Sequence, residues 1–151
     1  MFAKIFNGWL GEKMVQFNFW LKLDEKIYRR CHNVIIQSAN GTTQIDHILV
    51  SVYGVFVVET KNFNGWIFGS ENDAQWTQSF PGQNKFRFQN PLRQNYRHTK
   101  CLAEYLGLPD EVFHSVVFFI GDCKIKTATG QAVGRFIKPF FGNINHRLSN
   151  K

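Results

Sequence analysis

Gln44-Ile-Asp-His-Ile-Leu-Val-Ser-Val-Tyr-Gly-Val-Phe-Val-Val-Glu-Thr-Lys-Asn62 is the stretch from which the rest of the chain is read. Two apolar, β-branched runs, Ile45–Val52 and Val55–Val58, flank Tyr53-Gly54. Such a pattern predicts a buried β-hairpin turning at Tyr53 and Gly54. That turn sets Val52 opposite Val55, Ile48 opposite Glu59 and Asp46 opposite Lys61. Side chains alternate faces along a strand, and cross-strand partners share a face. Asp46, Glu59 and Lys61 are therefore expected on one face, gathered at the end away from the turn. His47 points to the other face and is expected to be a hydrogen-bonded core histidine.

Charges at the end of an apolar hairpin are costly to desolvate unless they pair with each other or bind a metal. One reading is a structural ion pair at a strand end. The other is a hard-metal site, in which Asp46 and Glu59 supply oxygen ligands to Mg²⁺ and Lys61 holds the attacking water. Spacing alone leaves both open.

The bulk composition narrows the class. The 151 residues suit one domain with a real core. A hydrophobic content of 44% with 16 Phe excludes a disordered chain. The net charge of +7 favours a polyanionic partner, nucleic acid or an anionic membrane surface. Cys31, Cys101 and Cys123 are widely spaced, forming neither a disulfide framework nor a zinc motif, which suits a reducing compartment. Lys4, Glu12 and Lys13 interrupt the aromatic start, so neither a membrane span nor a secretory signal is expected there. The expectation is a soluble, cytoplasmic protein.

Working outward, Met1–Leu23 reads as an amphipathic helix with Glu12, Gln16, Phe19 and Leu23 along one face. Phe19 and Leu23 pack inward on this reading. Glu12 is either a carboxylate favouring the helix N-terminus or a third acidic group reaching the metal site. Ile27–Ser38 reads as a strand ending at the Asn40-Gly41 turn, which makes a three-stranded meander. Beyond Lys61, two short strands are expected around Glu71-Asn72-Asp73 as an accessory hairpin. The stretch around Phe80–Pro91 interleaves Phe86 and Phe88 with Lys85 and Arg87. With Phe63, Trp66 and Trp76, these aromatics are read mainly as cover for a sheet edge, and alternatively as a base-stacking surface.

Asn90 and Pro91 read as the cap and first residue of a helix running to Leu106, stopped by Gly107 and Pro109. Leu92, Tyr96, Thr99, Leu102, Ala103 and Leu106 are its expected packing face. Arg93, Gln94, Arg97, His98 and Lys100 supply its polar side, which is either an ordinary solvated face or one from which Gln94 and Arg97 reach a phosphate or a metal-bound water. Val112–Ile120 reads as a buried strand, Lys124–Thr127 as a short strand and Gly134–Phe141 as a loose helix.

Taken in order, Gly11-Glu12, Gln44-Ile45-Asp46-His47, Glu59-Thr60-Lys61-Asn62, Trp76 and Asn90-Pro91-Leu92-Arg93-Gln94-Asn95 resemble the nuclease-related domain (NERD) family. The resemblance runs from Gly8 to about Ile120. It implies a PD-(D/E)XK nuclease architecture: an α/β (α+β) restriction-endonuclease-like core with a central mixed sheet flanked by helices. Residues 1–120 would form the nuclease domain, and 121–151 a basic extension partly completing it. It further implies Asp46 and Glu59 as Mg²⁺ (or Mn²⁺) ligands, Lys61 positioning the water, Glu12 as an accessory metal ligand and Gln94 as the helix glutamine. Arg93, Arg97, Lys100, Lys85 and Arg87 become candidate contacts to DNA or other nucleic acid, giving salt-sensitive binding with little sequence preference. Some relatives carry a zinc-ribbon, kinase or helicase module not seen here, so targeting information is expected to be missing or supplied by a protein partner.

Overall fold

Among the described residues, the β-branched runs and the capped helix fold into two mixed sheets with one α-helix packed between parts of both. The structure, a computed structural model, describes residues 23–82, 84–126 and, as backbone, 133–135. The first sheet has the order β1-β2-β3-β7-β9: Arg29–Ser38, Gly41–Ser51, Gly54–Asn62, Phe113–Ile120 and Val133–Arg135. The second has the order β6-β5-β4-β8: Phe86–Gln89, Gln75–Ser79, Gly65–Phe68 and Cys123–Ile125. The helix α1 spans Pro91–Leu106, and a short 3₁₀ turn, Asp110–Val112, leads into β7. The architecture is mixed α/β and mostly strand. No helix among the described residues is long and apolar enough to cross a membrane.

The central hairpin turns one residue earlier than expected. Ser51 pairs with Gly54 and Val50 with Val55, so Val52 and Tyr53 make the turn. The Ser51 hydroxyl explains the choice: it accepts from the Tyr53 N–H at 3.1 Å and donates to the Gly54 carbonyl at 3.2 Å. Moving the turn by one residue shifts every pairing by two, and an even shift leaves each side chain on its face. Continuing the ladder, Asp46 falls opposite Glu59 instead of Lys61.

Strict alternation fails at Asp46. Ile45 and Ile48 both pack in the cluster under α1 with Ile36, Val57, Leu102 and Phe113, although they are three positions apart, an odd step. On β1, Val34 packs with that same cluster, whereas His32 meets His47. Between them Asn33 takes a left-handed backbone, φ 53°, which asparagine tolerates better than most residues. Both strands thus change face together at Asn33 and Asp46. His47 is fully buried as expected, its Nδ1 2.7 Å from Nδ1 of His32. Burial, then the neighbouring His32, lowers its pKa to about 4.

The helix forms where the sequence places it. Asn90 Oδ1 accepts from Leu92 N–H at 2.9 Å and from Arg93 N–H at 3.4 Å. Gly107 closes the helix in a left-handed conformation. Its packing face needs correction, because Tyr96 and Leu106 are exposed. Asn95 is buried in their place, its Nδ2 donating to Val57 O, Ser115 Oγ and Val116 O at 2.9, 2.8 and 3.0 Å. An amide thereby docks the helix on the parallel pair β3–β7. The other face of the first sheet buries Leu23, Tyr28, Leu49, Phe56, Val58 and Phe118. Leu23 is the one inward-packing residue of the expected N-terminal helix that can be described.

The accessory hairpin is the middle of the second sheet. β6 arises from the stretch expected to cover an edge, and β8 lies within one residue or two of the expected short strand. Gly134 and Arg135 belong to a strand parallel to β7, not to a helix; residues 136–141 lie outside the described residues. Both sheets share one parallel ribbon. Asn62 faces Ile120 in β3–β7, and Gly65 faces Cys123 in β4–β8 with the same offset. Across the bend, Phe63 N–H donates to Ile120 O and Gly65 N–H to Asp122 O. Gly121 sits at the bend with φ 94°, and a Cβ there would lie 2.5 Å from the Phe63 carbonyl oxygen. Trp76, Ile67, Leu92, Val117, Phe119 and Cys123 fill the angle behind it, with the Trp76 and Phe119 rings stacked at 6.0 Å.

Candidate active site

β3 carries Glu59 and Lys61 to the end of the ribbon just before this bend. Ligand sites of parallel sheets commonly lie beyond such carboxyl ends. Glu59 is buried, only 3% exposed, on the side covered by α1. Its Oε1 accepts from Lys61 Nζ at 2.7 Å, and Lys61 also donates to Gln94 Oε1 at 2.9 Å. His98 lies one helical turn beyond Gln94, on the same face. Its Nδ1 approaches Glu59 Oε2 to 3.4 Å, close enough to interact but poorly aligned for a hydrogen bond. Burial alone would raise the Glu59 pKa, but the His98 ring and then Lys61 outweigh it and leave the group below its usual value.

Asp46 arrives from β2 at the point where the strands change face. The β2–β3 ladder is regular to His47 opposite Val58. One step beyond, the Asp46 carboxylate takes over from the ladder. Its Oδ2 accepts from both the Thr60 N–H at 2.9 Å and the Thr60 hydroxyl at 3.0 Å. Burial and then the charge of Glu59 hold Asp46 above the usual carboxylate range, against the opposing pull of Thr60 and Lys61. The site thus carries more negative charge than Lys61 balances. Two carboxylates near enough for the charge of Glu59 to act on Asp46 fit Mg²⁺, which takes one or two carboxylates and completes its shell with water and phosphate. Among the described residues no three His, Cys, Asp or Glu converge on one point, and Glu12 lies outside them.

Asp46, Glu59, Lys61 and Gln94 are therefore brought to one place. The candidate nucleic-acid cations are spread more widely. Arg93 is exposed, with Nη2 donating to the Asn72 carbonyl at 2.5 Å. Arg97 is exposed on α1 near Gln94. Lys100 is paired with Asp110 and lies 5.5 Å from the Tyr96 ring. Arg87 stands on β6 and Lys85 just before it, beside a cavity of about 510 Å³. Sequence reasoning missed Thr60 and His98 as parts of the site. His98 was legible in principle, because four residues after Gln94 it must share that face.

The chain matches the nuclease-related domain over residues 7–120. It belongs to the NERD family. An uncharacterized protein of Bacillus anthracis, pXO1-01, is 51% identical over 121 residues, covering 80% of this chain and 56% of that protein. A crystal structure described as that of a protein of unknown function, AF1548, superposes with a TM-score of 0.50 at 11% identity, over 86% of this chain and 59% of that one. That likeness concerns the fold. The NERD chain spans somewhat more than half the length of these two proteins.

Proposed function

We propose that this NERD domain is a Mg²⁺-dependent nuclease that hydrolyses DNA phosphodiester bonds on a restriction-endonuclease-like core. The observation that carries the reading is the convergence of Asp46, Glu59, Lys61 and Gln94, from three elements, at the end of a parallel strand pair. Asp46 and Glu59 would hold the cation, which when bound stabilises charge on the phosphate oxygens and acidifies a nearby water. Lys61 has three N–H bonds and gives two to Glu59 and Gln94. The third is available to hold the attacking water. Gln94 and Glu59 fix the ammonium from two sides, so its position does not depend on a flexible stem. Thr60 fixes Asp46 in the same way. Arg97 and Arg93 would meet the flanking phosphates.

The test is a Mg²⁺ or Mn²⁺ titration with labelled single- and double-stranded DNA, run beside Asp46→Ala and Lys61→Ala. Metal-dependent cutting lost in both variants supports the nuclease. Full cutting in either variant overturns it. A second reading, a nucleic-acid-binding module without turnover, draws on one observation: Glu59 Oε1 already accepts from Lys61, and His98 Nδ1 stands 3.4 Å from Oε2. Salt-dependent binding with no metal-stimulated cutting would favour it.

A further inference from the structure

We infer that the outer face of the second sheet is a stacking platform for single-stranded nucleic acid. The inference deepens the nuclease reading, and rests on it, by naming the form of strand the domain takes. Side chains on that face follow from the register. Trp66 on β4 is paired with Lys124 on β8, and Phe68 with Thr77 on β5, which in turn faces Arg87 on β6. The inner face buries Ile67 and Trp76. The outer one leaves two aromatic rings in water, Trp66 38% and Phe68 40% exposed. Such rings on an edge-protecting sheet would ordinarily be covered or replaced by polar residues.

The rings are framed by cations. Lys126 Nζ lies 5.8 Å from the centroid of the Trp66 ring. The cavity beside Phe68 is lined by Thr77, Lys85 and Arg87, with no carboxylate among the described residues that line it. A second cavity of about 510 Å³ is lined by Trp66, Phe80, Lys124 and one carboxylate, Asp122. Exposed π-faces flanked by Lys and Arg, on a chain of net charge +7, match a polymer with a planar apolar group and a negative charge at every unit. Trp66 and Phe68 are two residues apart on one strand, about 7 Å. Duplex bases rise only about 3.4 Å and present no free face, so the partner is an unpaired strand.

β4 continues β3 through the bend, and Trp66 follows Lys61 by five residues, at most roughly 18 Å of chain. Ile67 continues the face of Glu59 and Lys61, and Trp66 the opposite one, so a strand stacked on the platform would round the edge of the ribbon to reach the site.

The test is fluorescence anisotropy of a labelled oligo-dT in EDTA, using the full chain and an Asp46→Ala background, so that binding is read without cutting. Trp66→Ala should weaken binding about 5- to 150-fold, the range for losing one stacked base. Trp66→Phe should restore most of it. Arg87→Ala should lower the slope of log affinity against log salt by about 0.7, one phosphate contact on a single strand. Oligo-dT affinity unchanged in both alanine variants overturns the inference, as does tighter binding to a duplex. Binding to phosphatidylserine vesicles that Trp66→Ala abolishes, with none to oligo-dT, also overturns it. A protein that binds oligo-dT through Trp66 and never cuts DNA would refute the nuclease alone. One that cuts with Trp66→Ala binding normally would refute the platform alone.

Discussion

Asn95→Asp replaces one NH₂ group by oxygen in the middle of the protein, and should remove much of its stability at neutral pH. Asn95 is fully buried, and its amide nitrogen serves three oxygens: the Val57 and Val116 carbonyls and the Ser115 hydroxyl. An aspartate has no hydrogen to offer them. Ser115 can rotate to donate, but two main-chain carbonyls then face a buried carboxylate. Lost hydrogen bonds and an uncompensated charge together cost about 3–5 kcal/mol, a large share of a typical domain's roughly 5–15 kcal/mol. The carboxyl can escape by taking a proton, so its folded-state pKa must rise above its unfolded value. A raised pKa means the folded state binds the extra proton, and the deficit shrinks as pH falls. Each unit below the raised pKa returns about 1.4 kcal/mol until the unfolded chain also protonates. The assay is urea denaturation of both proteins at pH 7 and pH 5, followed by the fluorescence of buried Trp76. A deficit under about 1 kcal/mol at pH 7 would refute the role given to Asn95, and so would a deficit that stays constant between the two pH values.

Three further outcomes are expected. His47 has a pKa of about 4 in the fold, against about 6.5 unfolded, so its contribution is whole above pH 6.5 and lost as pH falls toward 4. Wild type should lose about 2 kcal/mol from this group by pH 5, and His47→Gln should lose none of that part in parallel urea titrations. Asp46→Asn keeps an oxygen for Thr60 and removes the repulsion from Glu59, so it should melt no lower than wild type while DNA cutting falls at least about a hundredfold. A matching drop in melting temperature would instead make Asp46 a structural residue. Gly121→Ala meets a left-handed backbone and the Phe63 carbonyl; it should cost about 3 kcal/mol, seen as a melting point lower by several degrees.

Local rules carried the sequence reading where chemistry is local. The helix Pro91–Leu106 was legible to both ends because Asn90, Pro91, Gly107 and Pro109 act on their own neighbours. The hairpin was legible as a hairpin, but its turn was set by the Ser51 hydroxyl, a signal weaker than Tyr53-Gly54. The faces of Glu59 and Lys61 survived that error because an even shift preserves them. The face change at Asn33 and Asp46 was not legible, since it depends on two strands twisting together. Nor was Asn95, whose burial follows from three acceptors on strands 20 or more residues away in sequence. In the second sheet the β4–β5 hairpin and the short β8 were legible, but β6 was not: it is four residues long, and only pairing with β5 makes it a strand.

The bent ribbon has a consequence for how such a chain can change length. Its two strands cross from one sheet to the other side by side, through Asn62–Asn64 on one and Gly121–Asp122 on the other, without losing a step of pairing. A residue deleted from only one crossing would slide β4 past β8, and turn Trp66 into the core in place of Ile67. Insertions and deletions at this corner are tolerable only as matched pairs, one in each strand. Any graft that replaces the second sheet must therefore cut both strands at the same level.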